Sequence, residues 1–278
     1  MLTPSEIKKI EDFVYVKPRS IQEIAQHLNK NWRTADRYIQ EIEKNFGTIT
    51  TRVFREGTRG ALKIVFWASV EKISNNVFQE KLEQEIISAR RKEDFSAFDI
   101  FQHVPDKNKK AYVAKSVSED SENLNELADM FSKAEKQVLI FSGNLSFINL
   151  KNKKFDAFKI LEDLVKKGIS IKVICRVDLA GKENIQKVLG LNYKYGKDVI
   201  EIRHKEHPIR AFIIDNKFFR IKEVKEPTGR IHELDKKVFI FYTIRDKDWT
   251  EWISRIFWKI FSGSIGSAKR LEEMDKIK

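Results

Sequence analysis

Residues 20–47 read SIQEIAQHLNKNWRTADRYIQEIEKNFG, a stretch with two helical patterns joined by a short polar connector. The first pattern begins at Ser20, which with Glu23 forms a capping box that satisfies the free N–H groups of a helix start. Apolar residues recur at helical spacing in both patterns, and Gly47 is placed to end the second. These residues are Ile21, Ile24, Ala25, Leu28, Trp32, Ala35, Tyr38, Ile39, Ile42 and Phe46. Two amphipathic helices joined this closely predict a helix-turn-helix.

The flanking sequence extends this motif on both sides. Thr3-Pro4-Ser5-Glu6 combines a capping residue, a proline suited to the first helical position and a capping-box glutamate, and a helical apolar pattern follows. After Gly47 the period changes to the alternation typical of strands, interrupted by a turn with two glycines at residues 56–60. Three helices followed by a β-hairpin predict an N-terminal winged helix-turn-helix domain over residues 1–68.

The polar residues of this predicted domain suit double-stranded DNA. The last helix of such a domain enters the major groove, where arginine pairs with guanine and glutamine with adenine. The turn of the hairpin brings further arginines to the sugar-phosphate backbone. The predicted DNA-binding residues are Arg33, Thr34, Arg37, Gln40, Lys44, Arg52, Arg55 and Arg59. A winged helix used only for protein contacts, with these arginines as solvated surface, is the alternative.

The segment AQHLNKNWRTADRYI, residues 25–39, resembles the turn and recognition helix of prokaryotic winged-helix transcription regulators, especially archaeal ones. The resemblance covers about a quarter of the chain. It implies binding to an operator, and it specifies the module better than any particular family.

Composition is consistent with a folded, polyanion-binding protein. The 278 residues include 41% hydrophobic ones, and 53 basic against 41 acidic side chains leave a net charge of +12. That charge favours nucleic acid or an anionic surface as partner, although a solvated lysine-rich surface has the same composition. The single cysteine, Cys175, lies in an apolar run and is predicted to be a small buried hydrophobe. The polar start and the lack of a long apolar run predict a cytoplasmic, nucleoid-associated protein without a membrane span.

Residues 69–118 are predicted to form a helical connector. Val70, Ile73 and Val77 make one apolar stripe, and a second contains Phe78, Leu82, Ile86 and Ala89. Such a helix either packs on its own chain or pairs with a second copy. Because winged-helix regulators commonly bind two half-sites as dimers, we expect the second stripe to mediate a homodimer.

Residues 119–265 alternate between apolar strands and helices, which predicts an α/β domain. Continuous apolar strands are typical of a sheet covered on both faces, so we expect a mostly parallel sheet. Residues 266–278 are expected to be a polar tail. The predicted fold class is therefore α/β, with a winged helix ahead of the α/β domain.

The landmarks of this second region, residues 137–144, 168–176 and 207–215, resemble the phospholipase D superfamily fold. A non-catalytic version of that fold follows a winged helix in archaeal TrmB-type regulators. The active enzymes carry His-x-Lys-x4-Asp and then Gly-Ser-x-x-Asn. Here Arg210 and Asp215 match the Lys and Asp positions, but Pro208 stands at the nucleophile and His207 is one residue early. The second motif is missing, so the resemblance implies a catalytically silent domain with no catalytic residues.

A ligand site is still expected at the carboxyl ends of these strands, where α/β sheets bind ligands. Its residues, which would hold a small anionic effector, are Ser142, Asn144, Arg176, His207 and Arg210. The alternative for residues 142–144 is an ordinary strand-to-loop turn. His204, His207 and His232 lack cysteine or carboxylate partners at zinc-binding spacing, so no metal and no cofactor are predicted.

The sequence therefore predicts a transcription regulator that binds double-stranded DNA, has a silent phospholipase D-like domain for dimerisation or effector sensing, and acts as a homodimer. Two rivals remain. One is a phosphodiesterase or nuclease that uses His207 and Arg210. The other is an adaptor whose winged helix contacts the transcription machinery.

Overall fold

The computed structural model describes residues 2–55, 61–67, 75–115, 121–153, 155–227, 234 and 236–276. Its first part is a winged helix, as predicted. In chain order the elements are α1 (Pro4–Val16), β1 (Arg19–Ser20), α2 (Ile21–His27), α3 (Trp32–Asn45), β2 (Ile49–Arg55) and β3 (Ala61–Trp67). Both predicted capping boxes are present, at Thr3 with Glu6 and at Ser20 with Glu23. Gly47, just beyond α3, has a φ of 64°, a left-handed conformation that glycine adopts at little cost.

The three strands of this part form an antiparallel sheet in the order β1-β3-β2. Its two faces have different neighbours. One face, with Ile49 and Val65, closes a small core against the helices. The other, with Phe54, Leu62 and Ile64, belongs to the core of the rest of the chain.

The remainder of the chain forms one sheet covered by helices on both faces. Its elements are α4 (Asn75–Ser88), α5 (Phe98–Phe101), β4 (Lys109–Ala114), α6 (Ser121–Ser132), β5 (Gln137–Phe141), α7 (Ala157–Lys167), β6 (Ser170–Cys175), α8 (Lys182–Tyr195), β7 (Ile200–His204), β8 (Ala211–Ile214), β9 (Phe218–Lys225), β10 (Val238–Ile244), α9 (Lys247–Ser262), β11 (Ile265–Gly266) and α10 (Ser267–Asp275).

The α/β fold class is confirmed, but the sheet is mixed and not mostly parallel. Within the described ranges its eight strands lie in the order β11-β7-β6-β5-β8-β9-β10-β4. Only β5 with β6 and β6 with β7 pair in parallel; the other neighbours are antiparallel. The strands are apolar on both faces because helices cover both: α6, α7 and α8 on one side and α4, α5 and α9 on the other. Burial on both faces accounts for the apolar runs, and strand direction does not follow from it.

The connector and the tail both contribute to this sheet. Lys109–Ala114, predicted as part of a linker, forms the edge strand β4 beside β10. Ile265 and Gly266 form β11, and the α10 residues Leu271 and Met274 pack against the core under α7 and α8. Residues 266–276 are therefore not a detached polar tail. The division of the chain into separate domains remains a prediction.

The second apolar stripe of the connector packs on its own chain. Leu82 and Ile86 of α4 are 2% and 1% exposed, and Phe78 packs against the same core as α9. The expectation that this stripe mediates a homodimer is therefore wrong, because its surface is already buried within one chain. Val70 and Ile73 of the first stripe lie outside the described residues. Val77 is 61% exposed.

Cys175 is fully buried in the core beneath β6, as predicted. Burial raises the pKa of its thiol to about 12, so the side chain remains a neutral hydrophobe. Helices in the described ranges all lack the combination of length and apolar character that a membrane span requires.

Candidate functional site

The outer face of α3 is a narrow basic strip. Arg33, Arg37, Gln40 and Lys44 are exposed, whereas Ala35, Tyr38, Ile39 and Ile42 are buried on the opposite side. At 3.6 residues per turn, the four exposed side chains fall within an arc of about 60°. The structure thus brings together four of the predicted DNA-binding residues on one helical face, and they are accessible in the complete chain.

Two of the carboxylates beside this strip make hydrogen bonds within the winged helix. Asp36 accepts hydrogen bonds from Gln40 Nε2 at 2.9 Å and from Lys63 Nζ at 2.6 Å. Glu43 accepts hydrogen bonds from the hydroxyls of Thr50 and Thr51 at 2.6 and 3.2 Å. The ion pair with Lys63 offsets the charge of Asp36, whereas Glu43 and the exposed Glu41 keep their negative charge beside the strip.

Thr34 stands apart from the exposed set. It is half-buried, and its backbone N–H donates to Asn31 Oδ1 at 2.9 Å, which caps α3. The structure thus places Thr34 in the first turn of the helix, beside the strip.

Arg52 of the hairpin faces the sheet and not the α3 strip. Its guanidinium lies 4.9 Å from the centre of the Phe101 ring and 3.8 Å from a carboxylate oxygen of Asp106. Arg52 shares this face of β2 with Phe54, whose ring is buried against Phe98 and Tyr242. The structure therefore does not bring Arg52 together with the exposed residues of α3. The side chain of Arg55 and all of Arg59 lie outside the described residues.

A second basic cluster lies at the carboxyl end of β5, around Arg210. The Arg210 Nη1 donates to the backbone oxygens of Ile209 and His207 at 2.7 and 3.2 Å. Its guanidinium rests on Gly143, where an added Cβ would lie 3.0 Å from Nη2. A larger residue at position 143 would require the guanidinium to shift, so the glycine permits this close contact at the strand end.

Lys222 of β9 lies beside Arg210 and was not predicted from the sequence. Its backbone N–H donates to the oxygen of Arg210 at 2.8 Å, so the two residues are cross-strand neighbours. Burial and the charge of Arg210 lower the pKa of Lys222 to about 8. The opposition of Lys222 to Arg210 depends on the register of β8 and β9, which local sequence patterns do not specify.

Arg176 and Arg220 extend the cluster, each with a carboxylate. Arg176 Nε donates to Asp178 at 2.5 Å from a half-exposed position. Arg220 is buried, lies 3.2 Å from Glu126 Oε2 and stacks 4.6 Å from the centre of the Phe241 ring. Arg220 was also absent from the predicted site.

Ser142 and Asn144 shape the loop after β5. The Ser142 hydroxyl accepts the N–H of Leu145 at 3.1 Å, and Asn144 Oδ1 accepts that of Ser146 at 3.2 Å. These bonds are those of a strand-to-loop turn, the alternative that the sequence left open. Both residues nevertheless border the same cavity as Arg210.

His207 is buried beneath the loop before β8. Its side chain is 3% exposed, its Nε2 lies 3.2 Å from the oxygen of Ile174, and its ring contacts Phe141. Burial, together with the charge of Arg210, lowers the pKa of His207 to about 3. The imidazole is therefore neutral at physiological pH and packed against the β5 and β6 ends. His232 lies outside the described residues.

The cluster borders a cavity of about 230 Å³ between the sheet and α6. Four cationic side chains line it, and four phenyl rings form much of the remaining wall. The cations are Arg176, Arg210, Arg220 and Lys222, and the rings are Phe141, Phe147, Phe212 and Phe241. Such a mixture of basic and aromatic groups suits a small anion with an apolar body.

No family model and no curated protein matches the chain. Solved structures that overlap with it include TrmBL2, described as an archaeal chromatin protein with a novel mode of DNA binding. The overlap has 12% identity and a TM-score of 0.38, and it covers 95% of this chain and 94% of that one.

A phospholipase D family structure and a further solved structure each overlap with part of the chain. Nuc from Salmonella typhimurium shows 11% identity and a TM-score of 0.39, over 57% of this chain and 97% of that one. NucT from Helicobacter pylori shows 13% identity and a TM-score of 0.41, over 57% and 99%. Both resemblances drawn from the sequence recur among these structures. Because these TM-scores are low, the assignment of the fold depends on the strand order and helix packing of this chain itself.

Proposed function

We propose that this chain is a DNA-binding transcription regulator whose winged helix enters the major groove of double-stranded DNA. The observation that carries the proposal is the exposed strip of Arg33, Arg37, Gln40 and Lys44 on one face of α3. Arginine and glutamine are the side chains that pair with two atoms of guanine and of adenine, and lysine neutralises phosphate. Arg55 and Arg59, in and near the turn that the sequence predicts, would add contacts to the DNA backbone.

The α/β domain is proposed to be catalytically silent and to serve effector sensing or dimerisation. Ser142, Asn144, Arg176 and Arg210 around the cavity support a bound anion, with His207 beneath them. A homodimer is also proposed, but through a surface other than the apolar stripe of α4. DNA binding would make the protein nucleoid-associated in the cytoplasm.

The test is DNA binding by the complete chain, measured by fluorescence anisotropy on genomic fragments that the wild type selects. Arg33→Ala and Arg37→Ala should each cost ~1–3 kcal/mol and relax sequence preference. The control is Arg255→Ala, an exposed arginine on α9. Equal affinity of wild type and the Arg33→Ala/Arg37→Ala double variant at moderate salt would rule the strip out as the recognition surface.

The phosphodiesterase alternative needs a nucleophile aimed at phosphorus. The burial of His207 against Phe141 and Ile174 favours a silent domain instead. Purified protein should not hydrolyse bis(p-nitrophenyl) phosphate, and turnover that disappears in His207→Ala would establish the enzyme.

The adaptor alternative predicts no DNA binding at all. Residues 1–68 alone are a poor reagent for testing it, because the fragment would expose Phe54, Leu62 and Ile64, which the sheet covers in the complete chain. The full-length anisotropy measurement decides between adaptor and regulator.

A further inference from the structure

Arg210 and Lys222 form a pair of like charges directly opposite each other in a sheet. Ala211 is paired with Ile221, and the next pair outward is Arg210 with Lys222, joined by the 2.8 Å backbone hydrogen bond. Side chains of such a pair leave the same face with Cβ atoms ~4.5–5.5 Å apart, and like charges there destabilise the sheet. The fold thus tolerates an unfavourable arrangement at one place.

Neither side chain of this pair forms an ion pair with a carboxylate of the described residues, and Glu93 acts on Arg210 from a greater distance. In the ranges that the structure describes, no carboxylate lies within 4.0 Å of Arg210 or Lys222, although Arg176 and Arg220 nearby each have one. Arg210 Nη1 donates to two backbone oxygens, and the Lys222 ammonium lies 5.6 Å from the centre of the Phe239 ring. Both side chains border the cavity described above.

We propose that Arg210 and Lys222 together bind a small phosphomonoester dianion that carries an apolar or aromatic body. This proposal deepens the effector sensing proposed above and rests on it for its regulatory meaning, whereas the binding itself does not depend on DNA recognition.

Charge and shape select this ligand class. Two cations that have no ion-paired carboxylate among the described residues match the charge of a phosphomonoester, which is close to −2 above its second pKa of ~6. The fork of Arg210 is suited to two phosphate oxygens, and the ammonium of Lys222 to a third as a point charge. The phenyl rings of Phe141, Phe147 and Phe212 offer an apolar wall for the rest of the ligand, within a volume of about 230 Å³.

The position of the pair links the ligand to the DNA-binding part. Arg210 and Lys222 also border a second cavity, of about 310 Å³, whose other wall includes Gln22, Glu23 and Gln26 of α2. In that wall Glu23 forms an ion pair with Lys225 of β9, at 3.8 Å. A dianion at Arg210 and Lys222 therefore lies beside the contact between the helix-turn-helix and the sheet, and its charge acts on that contact.

The experiment is isothermal titration calorimetry of the complete chain with phenyl phosphate, a dianion at pH ~7.5, and with benzenesulfonate, a monoanion of similar shape. Phenyl phosphate should bind at least tenfold more tightly than benzenesulfonate. Arg210→Met and Lys222→Met should each weaken phenyl phosphate at least tenfold, whereas the exposed Lys136→Met should not. Inorganic phosphate, tested in parallel, should bind more weakly than phenyl phosphate.

A second readout separates ligand binding from a structural role of the lysine. Lys222→Met removes the like-charge repulsion, so its Tm without ligand should rise while its affinity falls; a lysine needed only for folding would lower the Tm. The proposal is overturned if phenyl phosphate gives neither heat nor a Tm shift at millimolar concentration. It is also overturned if both anions bind equally, or if neither variant changes the affinity. If inorganic phosphate binds more tightly than phenyl phosphate, the proposal that the ligand carries an apolar body is wrong.

Failure of this site and failure of the regulator proposal are distinguishable. Arg33→Ala/Arg37→Ala should keep its phenyl phosphate affinity, and Lys222→Met should keep DNA binding in the absence of ligand. If the chain binds phenyl phosphate but no DNA, the proposal of an anion site is supported and the proposal of a transcription regulator is contradicted.

Discussion

At the scale of single residues, the charged groups of Asp215 and Lys222 differ in how they are paired. The carboxylate of Asp215 accepts three backbone N–H groups, from residues 135–137, at 2.7, 2.9 and 2.7 Å. It therefore stabilises the loop before β5 and is fully paired. Lys222 lies opposite Arg210, and within the described ranges no carboxylate lies within 4.0 Å of its ammonium. A charged group without a counter-ion at a cavity indicates a binding role, whereas a charge satisfied by backbone indicates a structural one.

The unpaired Lys222 predicts a specific pH dependence of stability. Arg210, Lys92 and Lys237 add to the effect of burial, and together they lower the pKa of Lys222 from 10.5 to about 8. Between these values the unfolded chain holds a proton that the folded chain has released, so the free energy of unfolding rises with pH across that window. Below pH 8 the full destabilisation by the charged Lys222 applies, and it amounts to at most about 3 kcal/mol.

Urea denaturation of wild type and Lys222→Met measures this effect. The variant should be the more stable of the two at neutral pH, and the difference should shrink as the pH approaches ~10. Other groups that titrate at alkaline pH change the free energy of unfolding of both proteins equally, so their effects cancel in the difference. A difference that stays constant from neutral pH to ~10 would contradict the lowered pKa.

At the scale of elements, α4 joins the winged helix to the sheet by packing against α9. Its buried face carries Leu82 and Ile86, and Trp252 Nε1 of α9 donates to the backbone oxygen of Gln79 at 3.2 Å. On the exposed side, Lys259 of α9 bonds Glu83 at 2.7 Å. This helix therefore acts as part of the core of one chain.

Leu82→Ala should destabilise the chain by ~2–5 kcal/mol, since it leaves a cavity between α4 and α9. The control is Val77→Ala on the same helix, where the side chain is 61% exposed and the cost should be small. Thermal denaturation at several protein concentrations gives the result. A loss of stability that grows on dilution would instead restore the dimer role of this stripe.

At the scale of the whole molecule, one hydrophobic core links the two predicted domains. Phe54, Leu62 and Ile64 of the hairpin share it with Phe98, Tyr242 and α9. Polar contacts reinforce this joint, because Lys17 Nζ donates to the oxygen of Glu93 at 2.7 Å and Lys225 pairs with Glu23. The orientation of α3 relative to the eight-stranded sheet is therefore set by packing.

A shared core predicts one cooperative unfolding transition in scanning calorimetry. Phe54→Ala should lower the stability of the whole molecule by ~3–5 kcal/mol and keep a single transition. Phe46→Ala, at a phenylalanine that is 55% exposed, is the matched control and should have little effect. Two separate transitions in the wild type, with only the first shifted in Phe54→Ala, would show that the two parts fold independently.

The sequence by itself determined the winged helix, the α/β class and the burial of Cys175. Capping boxes at Thr3 and Ser20 and the change of period after Gly47 lie within a few consecutive residues, so local hydrogen bonding and one-sided burial are enough to specify these elements. The exposed strip of α3 follows from the same periodicity, because each exposed position is set by the buried ones.

Only the tertiary structure decided how distant segments meet. The antiparallel partners in the sheet, the face of β2 on which Arg52 lies and the opposition of Arg210 to Lys222 all depend on strand pairing. Local patterns report that a strand is buried, not which strand lies beside it or in which direction. Pairing is chosen by the packing of the whole core, since a shift of one residue would turn Lys222 to the other face of the sheet.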